Sequence, residues 1–224
     1  MIICICGAGG LGHEVLELAK QINYIEKKWS SYIFVETEKF INNYNNKTDI
    51  NNILVTTFEK IINRFDKHSV EFIVGVGEPE LRKNIAYEIT CKDYHLATLI
   101  HPNVHIPDST TIGKGVVICS NAYISCDVTI GNNAYIQPNA LVGHNTIIGN
   151  NSVISPSVNI AGACQIGCNT YIGMNACVKE ETHIGDDTII GIASVVIRDI
   201  PSEMIALGNP ARPMKKNEER RVFK

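Results

Sequence analysis

His144 lies between Gly143 and Asn145 in a chain of 224 residues. A histidine whose pKa lies near neutrality suits general-base work, taking a proton from an amine or hydroxyl as it attacks. It occupies a position away from the inward-facing Val142 and Thr146, so it is expected to face outward. Two other groupings could carry chemistry. Gly7, Gly9 and Gly12 make a G-x-G-x-x-G match directly after the apolar run Met1–Cys6. Glycines there let the backbone approach a phosphate, and a helix N-terminus behind them favours negative charge. Glu36 closes a second apolar run, Ser31–Val35, where a carboxylate can accept hydrogen bonds from ribose hydroxyls. Gly75-Val-Gly77 makes a second glycine turn. The plainer alternatives are a surface histidine and glycines that only shape a tight turn. His95, His101 and His105 cluster in sequence, but zinc needs convergent ligands, and no metal is expected. His13 could cap a helix or meet a phosphate. His68 and His183 read as solvated.

Strands and helices alternate around these residues. A helix is expected from about His13 to Ile22, with Val15, Leu18, Ala19 and Ile22 on one face. A strand near Ile53–Thr56, a helix near Phe58–Phe65, a strand over Glu71–Val76, a helix over Glu80–Thr90 and a strand over His95–Ile100 follow. This is a short, doubly wound, Rossmann-like α/β domain over residues 1–100. The Asn-rich stretch Ile41–Asn52 reads as a solvated loop.

From Ile106 to Val196, sixteen consecutive six-residue units begin with Ile or Val. Four residues after each start sits a small or β-branched residue, such as Ala134, Thr146 or Cys164. A period of six fits neither a helix nor an ordinary strand. It fits a solenoid, with a short strand and a corner per hexad and three hexads per triangular coil. The aliphatic residue points inward, the small residue fills the space beside it, and Gly permits the backbone angles of the corner. Ile130 and Ile148 should therefore stack. The solenoid is expected over residues 101–200, and a tail over 201–224 leaves it, with a turn at Gly208-Asn-Pro210.

The net charge of -3 gives no basic field for nucleic acid. No apolar run approaches the roughly 20 residues of a membrane span. The eight cysteines include no CxxC pair. They are expected as buried free thiols in a cytoplasmic protein.

Together these segments resemble the sugar O/N-acyltransferases of the sialic-acid O-acetyltransferase and UDP-4-amino-sugar N-acetyltransferase type. The resemblance is carried by Gly7 through Val15, by Gly75-Val-Gly77 with Arg82 behind it, by Val142 through Gly149, and by Gly208 through Arg212. It implies a left-handed parallel β-helix, a homotrimer, and acetyl-CoA bound between neighbouring subunits. It implies a nucleotide-sugar or sugar acceptor on the N-terminal domain, with contacts at Gly9, Gly10, Leu11, Glu36, Gly75 and Gly77. It implies His144 as the catalytic base, with Asn145 orienting it. The acetyl-CoA groove would fall at Gly162, Met174 and Ile192, and at Val153, where many relatives carry a second His. Where the family has Asp or Glu after the base, this chain has Asn145. Arg212, Lys215 and Lys216 could meet CoA phosphates.

The expected activity is acetyl-CoA-dependent N-acetylation of a nucleotide-linked amino sugar for a bacterial surface glycan. Acetylation of a sugar hydroxyl, as in sialic-acid O-acetyltransferases, is the second reading. A non-catalytic, nucleotide-sugar-binding trimeric scaffold is the third, kept open by Asn145 and Val153. An NAD-dependent oxidoreductase ranks last, because the solenoid supplies no hydride-acceptor site.

Overall fold

The computed structural model describes residues 1–43 and 49–223. The chain forms two units, Met1–Gly77 with Asn84–Leu99, and Glu78–Lys83 with the chain from Ile100 onward. The second unit thus includes a short segment of the first hundred residues.

The first unit contains β1 (Ile2–Cys6), α1 (Gly10–Glu26), β2 (Ser31–Val35), α2 (Glu38–Asn43), β3 (Asp49–Ile50), β4 (Ile53–Thr56), α3 (Phe58–Arg64) and β5 (Val70–Val74). The helix α4 (Pro79–Cys91) and strand β6 (His95–Leu96) follow. The sheet order is β3-β4-β2-β1-β5-β6, and only the β3–β4 pair is antiparallel. β1 is apolar along its length because it is central and covered on both faces, and Ile3, Cys4 and Ile5 have no exposed surface. Helix α1 buries the expected Val15, Leu18, Ala19 and Ile22. It starts at Gly10, earlier than expected, so part of the glycine motif lies inside its first turn. The loop expected over Ile41–Asn52 is interrupted by the end of α2 and by β3; its residues 44–48 lie outside the described residues. The strand expected over His95–Ile100 is two pieces, His95–Leu96 and Leu99–Ile100.

In the second unit the hexads form a left-handed parallel β-helix. One face stacks Tyr123–Ile124, Leu141–Val142, Asn159–Ile160, Cys177–Val178 and Val195–Val196. A second stacks Thr111–Ile112, Thr129–Ile130, Ile147–Ile148, Gln165–Ile166 and His183–Ile184. The third includes Val117–Ile118, Tyr135–Ile136, Val153–Ile154, Tyr171–Ile172 and Ile189–Ile190. Partners are eighteen residues apart throughout, and Ile130 pairs with Ile148 as expected. The leading aliphatics and the small residues four positions on form one continuous core from Val116 to Ala211.

The corners correct one expectation. The glycines right after the leading aliphatic do not supply left-handed backbone, although Gly115, which stands at the corner place itself, does at φ 72°. That conformation falls two residues later, at Asn133, Asn139, Asn145, Asn151, Asn169 and Asn175, with φ between 53° and 60°. Asn tolerates this region better than most residues. The glycines answer a steric demand instead: a Cβ on Gly131 would lie 2.6 Å from Asn150 Oδ1 and 2.7 Å from its backbone nitrogen.

At the edge between the second and third faces the left-handed asparagines form a ladder. Asn133 Nδ2 donates to Asn151 Oδ1 at 2.9 Å, Asn151 Nδ2 to Asn169 Oδ1 at 3.0 Å, and Asn169 Nδ2 to Asp187 Oδ1 at 3.1 Å. Arg82 caps it: its guanidinium donates to Asn133 O at 2.8 Å and to Asn133 Oδ1 at 3.1 Å, and it lies over the Tyr135 ring. Arg82 is fully buried, and burial lowers its pKa to about 10, so it remains charged at neutral pH. Glu78 accepts the backbone N–H groups of Val222 and Phe223. The Arg82 of the sequence motif is therefore a structural pin that fastens Glu78–Lys83 to the solenoid.

The tail does not leave the solenoid as expected. Met204–Gly208 adds to the third face beside Ile189–Ile190, and Ala211–Lys216 returns antiparallel to it. All eight cysteines are free, but only Cys4, Cys6, Cys119 and Cys164 are buried. Cys126 and Cys177 are exposed because they stand two and five places after their hexad's aliphatic, positions that do not face the core. Burial pushes the Cys4 thiol up to about 12, which makes it an inert filler.

Ile148→Asp should place an unpaired carboxylate in the prism and destabilise the solenoid by roughly 3–5 kcal/mol. A urea melt checks this through a lowered midpoint.

Candidate functional site

The glycine turn of the first unit separates into two kinds of position. Gly7 has φ +111°, and a Cβ on Gly12 would lie 3.7 Å from Gly75 O and still closer to the Gly7 carbonyl. These two glycines are demanded by the turn and by the close packing of α1. Gly9 and Gly10 are different: a Cβ on either would meet nothing within 4 Å, and both are exposed. Nothing in the unit itself requires glycine there. Gly9 is the N-cap of α1, with no side-chain cap and no acidic residue in the first turn. The first N–H groups of a seventeen-residue helix therefore face outward without a carboxylate, a site suited to an anion.

Glu36 braces this loop. Its Oε1 accepts the Ala8 N–H at 2.8 Å, and its Oε2 accepts the Thr37 N–H at 3.2 Å. The expected role toward a ribose is thus joined by a positioning role, with lone pairs left for a ligand. Gly7 N–H donates to Val35 O, and Gly75 N–H donates to Cys6 O. Gly9, Gly10, Leu11, Glu36, Gly75 and Gly77 are all in the first unit, at the carboxyl ends of β1, β2 and β5, where open parallel sheets bind ligands.

In the second unit His144 is exposed on the corner between the first and second faces. Its Nδ1 lies 2.9 Å from Asn145 Oδ1. An amide oxygen can only accept, so this contact places the proton on Nδ1 and leaves the lone pair on Nε2. Asn145 therefore sets the tautomer a base needs, without the charge that Asp or Glu would bring. The ring rests on Gly162, one coil on: a Cβ there would lie 2.5 Å from both Cε1 and Nε2. The Ala163 N–H donates to the His144 carbonyl at 2.7 Å, fixing the two coils together. The seating of His144 on Gly162 escaped the motif reading, although the eighteen-residue spacing between them carries it.

The remaining expected positions divide. Met174 (44% exposed) and Ile192 (71% exposed) stack on the corner between the third and first faces, a different edge from that of His144 and Gly162. Val153 has no exposed surface. It lies in the outer row of the third face between Tyr135 and Tyr171, which Arg82 and Phe223 cover. Its side chain is therefore covered by its own chain. Lys215 and Lys216 line an open cleft of about 570 Å³ with Ile189, Ile205, Arg221 and Phe223, while Arg212 donates to the Ala211 carbonyl. Among the described residues no group of three His, Cys, Asp or Glu could hold a metal, and no helix is long and apolar enough to cross a membrane.

Gly12→Ala should collapse the first unit, whereas Gly9→Val should cost about 1 kcal/mol or less. Gly9→Val should nonetheless abolish binding of nucleotide-linked ligands. Thermal melting with and without such ligands separates the two effects.

Comparison with known proteins gives the following. Residues 2–89 match the PglD N-terminal domain, and residues 127–162 match the bacterial transferase hexapeptide (six repeats). No curated protein matches the chain. Among solved structures, the acetyltransferase domain of PglB from Neisseria gonorrhoeae is 26% identical, with 95% of this chain and 99% of that one covered and a TM-score of 0.86. The same domain has been solved in complex with acetyl coenzyme A, at the same identity and TM-score with 98% of that chain covered. PerB from Caulobacter crescentus, in complex with CoA and GDP-perosamine, is 24% identical over 96% of this chain and 98% of that one, with a TM-score of 0.84, and shares the fold. The chain thus joins a PglD-type N-terminal domain to bacterial-transferase hexapeptide repeats, and over nearly its whole length it is similar to the acetyltransferase domain of PglB.

Proposed function

We propose that this chain is an acetyl-CoA-dependent N-acetyltransferase acting on a nucleotide-linked amino sugar, with His144 as general base. The observation that carries the proposal is the exposed imidazole, seated on Gly162 with Nδ1 engaged by Asn145. The acceptor nitrogen attacks the thioester carbonyl, the C–N bond forms and the C–S bond breaks. His144 Nε2 takes the proton from the attacking amine and returns it to the departing thiolate. Placing the amine about 3 Å from the carbonyl is the other demand, and it falls to the acceptor-binding unit. There the open Gly9 and Gly10 and the uncapped start of α1 suit a diphosphate. The PglB domain, which binds acetyl coenzyme A, supports the choice of donor.

The active form is a homotrimer in the cytoplasm. Gly162 lies on one edge of the prism, and Met174 and Ile192 lie on another. A groove lined by both edges needs two copies, and a cyclic trimer brings one edge of each copy to the other edge of its neighbour. The exposure of Met174 and Ile192, large apolar residues at one corner, supports such a seam.

Release of free thiol from acetyl-CoA, measured with UDP-, GDP- and dTDP-linked amino sugars, tests the reading. Acceptor-dependent release is expected with at least one of them; activity with hydroxyl acceptors alone would favour O-acetylation, and none at all would favour the scaffold. His144→Ala should lower turnover by roughly 10²–10⁴-fold with acetyl-CoA affinity little changed. Asn145→Asp supplies a carboxylate that stabilises imidazolium, so the limb of the pH–rate profile that vanishes in His144→Ala should move to higher pH. An unchanged profile would mean that residue 145 does not act on the ring.

A further inference from the structure

The corner that holds His144 differs from the others in a way that bears on its tautomer. Where the left-handed asparagines pair across coils, the bond has one polarity: the lower residue's Nδ2 donates to the Oδ1 of the residue eighteen places on. This holds for Asn133 to Asn151 and for Asn151 to Asn169. The upper asparagine of such a pair has its Oδ1 occupied from below.

Asn145 occupies the same left-handed position, with φ 57°. The residue eighteen places below it is Asp127, also left-handed at φ 56°. An ionised carboxylate has no N–H to donate. The backbone N–H of Asp127 is taken by Ser109 Oγ at 3.0 Å. Above Asn145 stands Ala163, φ 58°, whose methyl cannot accept from Nδ2. The ladder is therefore interrupted on both sides of Asn145, and its Oδ1 turns sideways to His144 Nδ1 instead.

We propose that Asp127 is a positioning residue for His144: by offering no donor to Asn145 Oδ1, it reserves that oxygen for Nδ1–H of the imidazole. Asn is the commonest residue at left-handed corners in this solenoid, and at position 127 it would set an Nδ2 donor below Asn145 Oδ1 in competition with the ring, as Asn133 does below Asn151. Ala163 makes the matching gap above. The inference rests on the reading of His144 as the base, but its structural part can be read without turnover.

The test compares Asp127→Asn with Asp127→Ala in the full-length protein. Nitrogen-15 NMR of His144, at a pH where the ring is neutral, distinguishes the Nδ1–H from the Nε2–H tautomer. Wild type should show Nδ1–H. Asp127→Asn should shift His144 toward a mixture of tautomers and lower kcat about tenfold, with the KM for acetyl-CoA unchanged. Asp127→Ala, which also has no donor, should keep the wild-type tautomer. An unchanged tautomer in Asp127→Asn overturns the proposal. So does an equal loss in Asp127→Ala, because the carboxylate itself would then be acting. If wild type transfers no acetyl group to any acceptor, the functional reading fails, while the NMR comparison still decides whether the interrupted ladder aims the ring.

Discussion

Backbone hydrogen bonds between residues seventeen apart in the chain govern this molecule. Thr129 N–H donates to Thr146 O at 2.9 Å, Ile147 to Cys164 at 2.9 Å, and Gln165 to Thr182 at 3.0 Å, coil upon coil. They hold successive coils so close that any residue lies almost in contact with the one eighteen places away. The hexad glycines exist to permit that approach. The left-handed asparagines exist to turn each corner without losing it. The catalytic candidate follows from the same constraint: His144 lies on Gly162 because the coil geometry puts position 162 beside it, and a side chain there would leave the ring no room.

The solenoid was legible because its demand repeats: aliphatic and small residues at fixed places in a period of six have no other regular explanation. Ile130 over Ile148 follows by counting. The role of the glycines was not legible, because a glycine at a corner looks the same whether it is needed for φ or for space. Only the positive φ at the following asparagines separates the two causes. The cysteines show the same limit. Cys164 takes the inward small-residue place and is buried, while Cys126 and Cys177 stand at other places of the hexad and are exposed. Val153 also occupies an outward place. It is buried because Glu78–Lys83 and the tail cover that face, and no local pattern in the hexads announces long-range docking of this kind.

The candidate acceptor site was legible only as a loop. The G-x-G-x-x-G match and Glu36 pointed to one turn, but the four glycines do unlike things. Gly7 and Gly12 are structural, and Gly9 and Gly10 leave an approach open. Asn145 in turn has two duties that its residue type reconciles. It accepts a left-handed backbone at low cost and presents an oxygen that fixes the imidazole proton on Nδ1. A carboxylate could do the second with added charge. Asparagine does it by hydrogen bonding alone, which makes the geometry around it the deciding factor.

The seat of the imidazole is therefore the most direct point to test. The measurement is the single-turnover rate of acetyl transfer by Gly162→Ala, with acetyl-CoA saturating so that donor affinity does not enter. The added Cβ would fall 2.5 Å from Nε2 and must displace the ring. A displacement of about 1 Å should lower the rate by roughly 10²-fold in a protein that still melts cooperatively. Transfer at the wild-type rate by Gly162→Ala would contradict the account, because it would mean that the ring's position on the solenoid does not govern the chemistry.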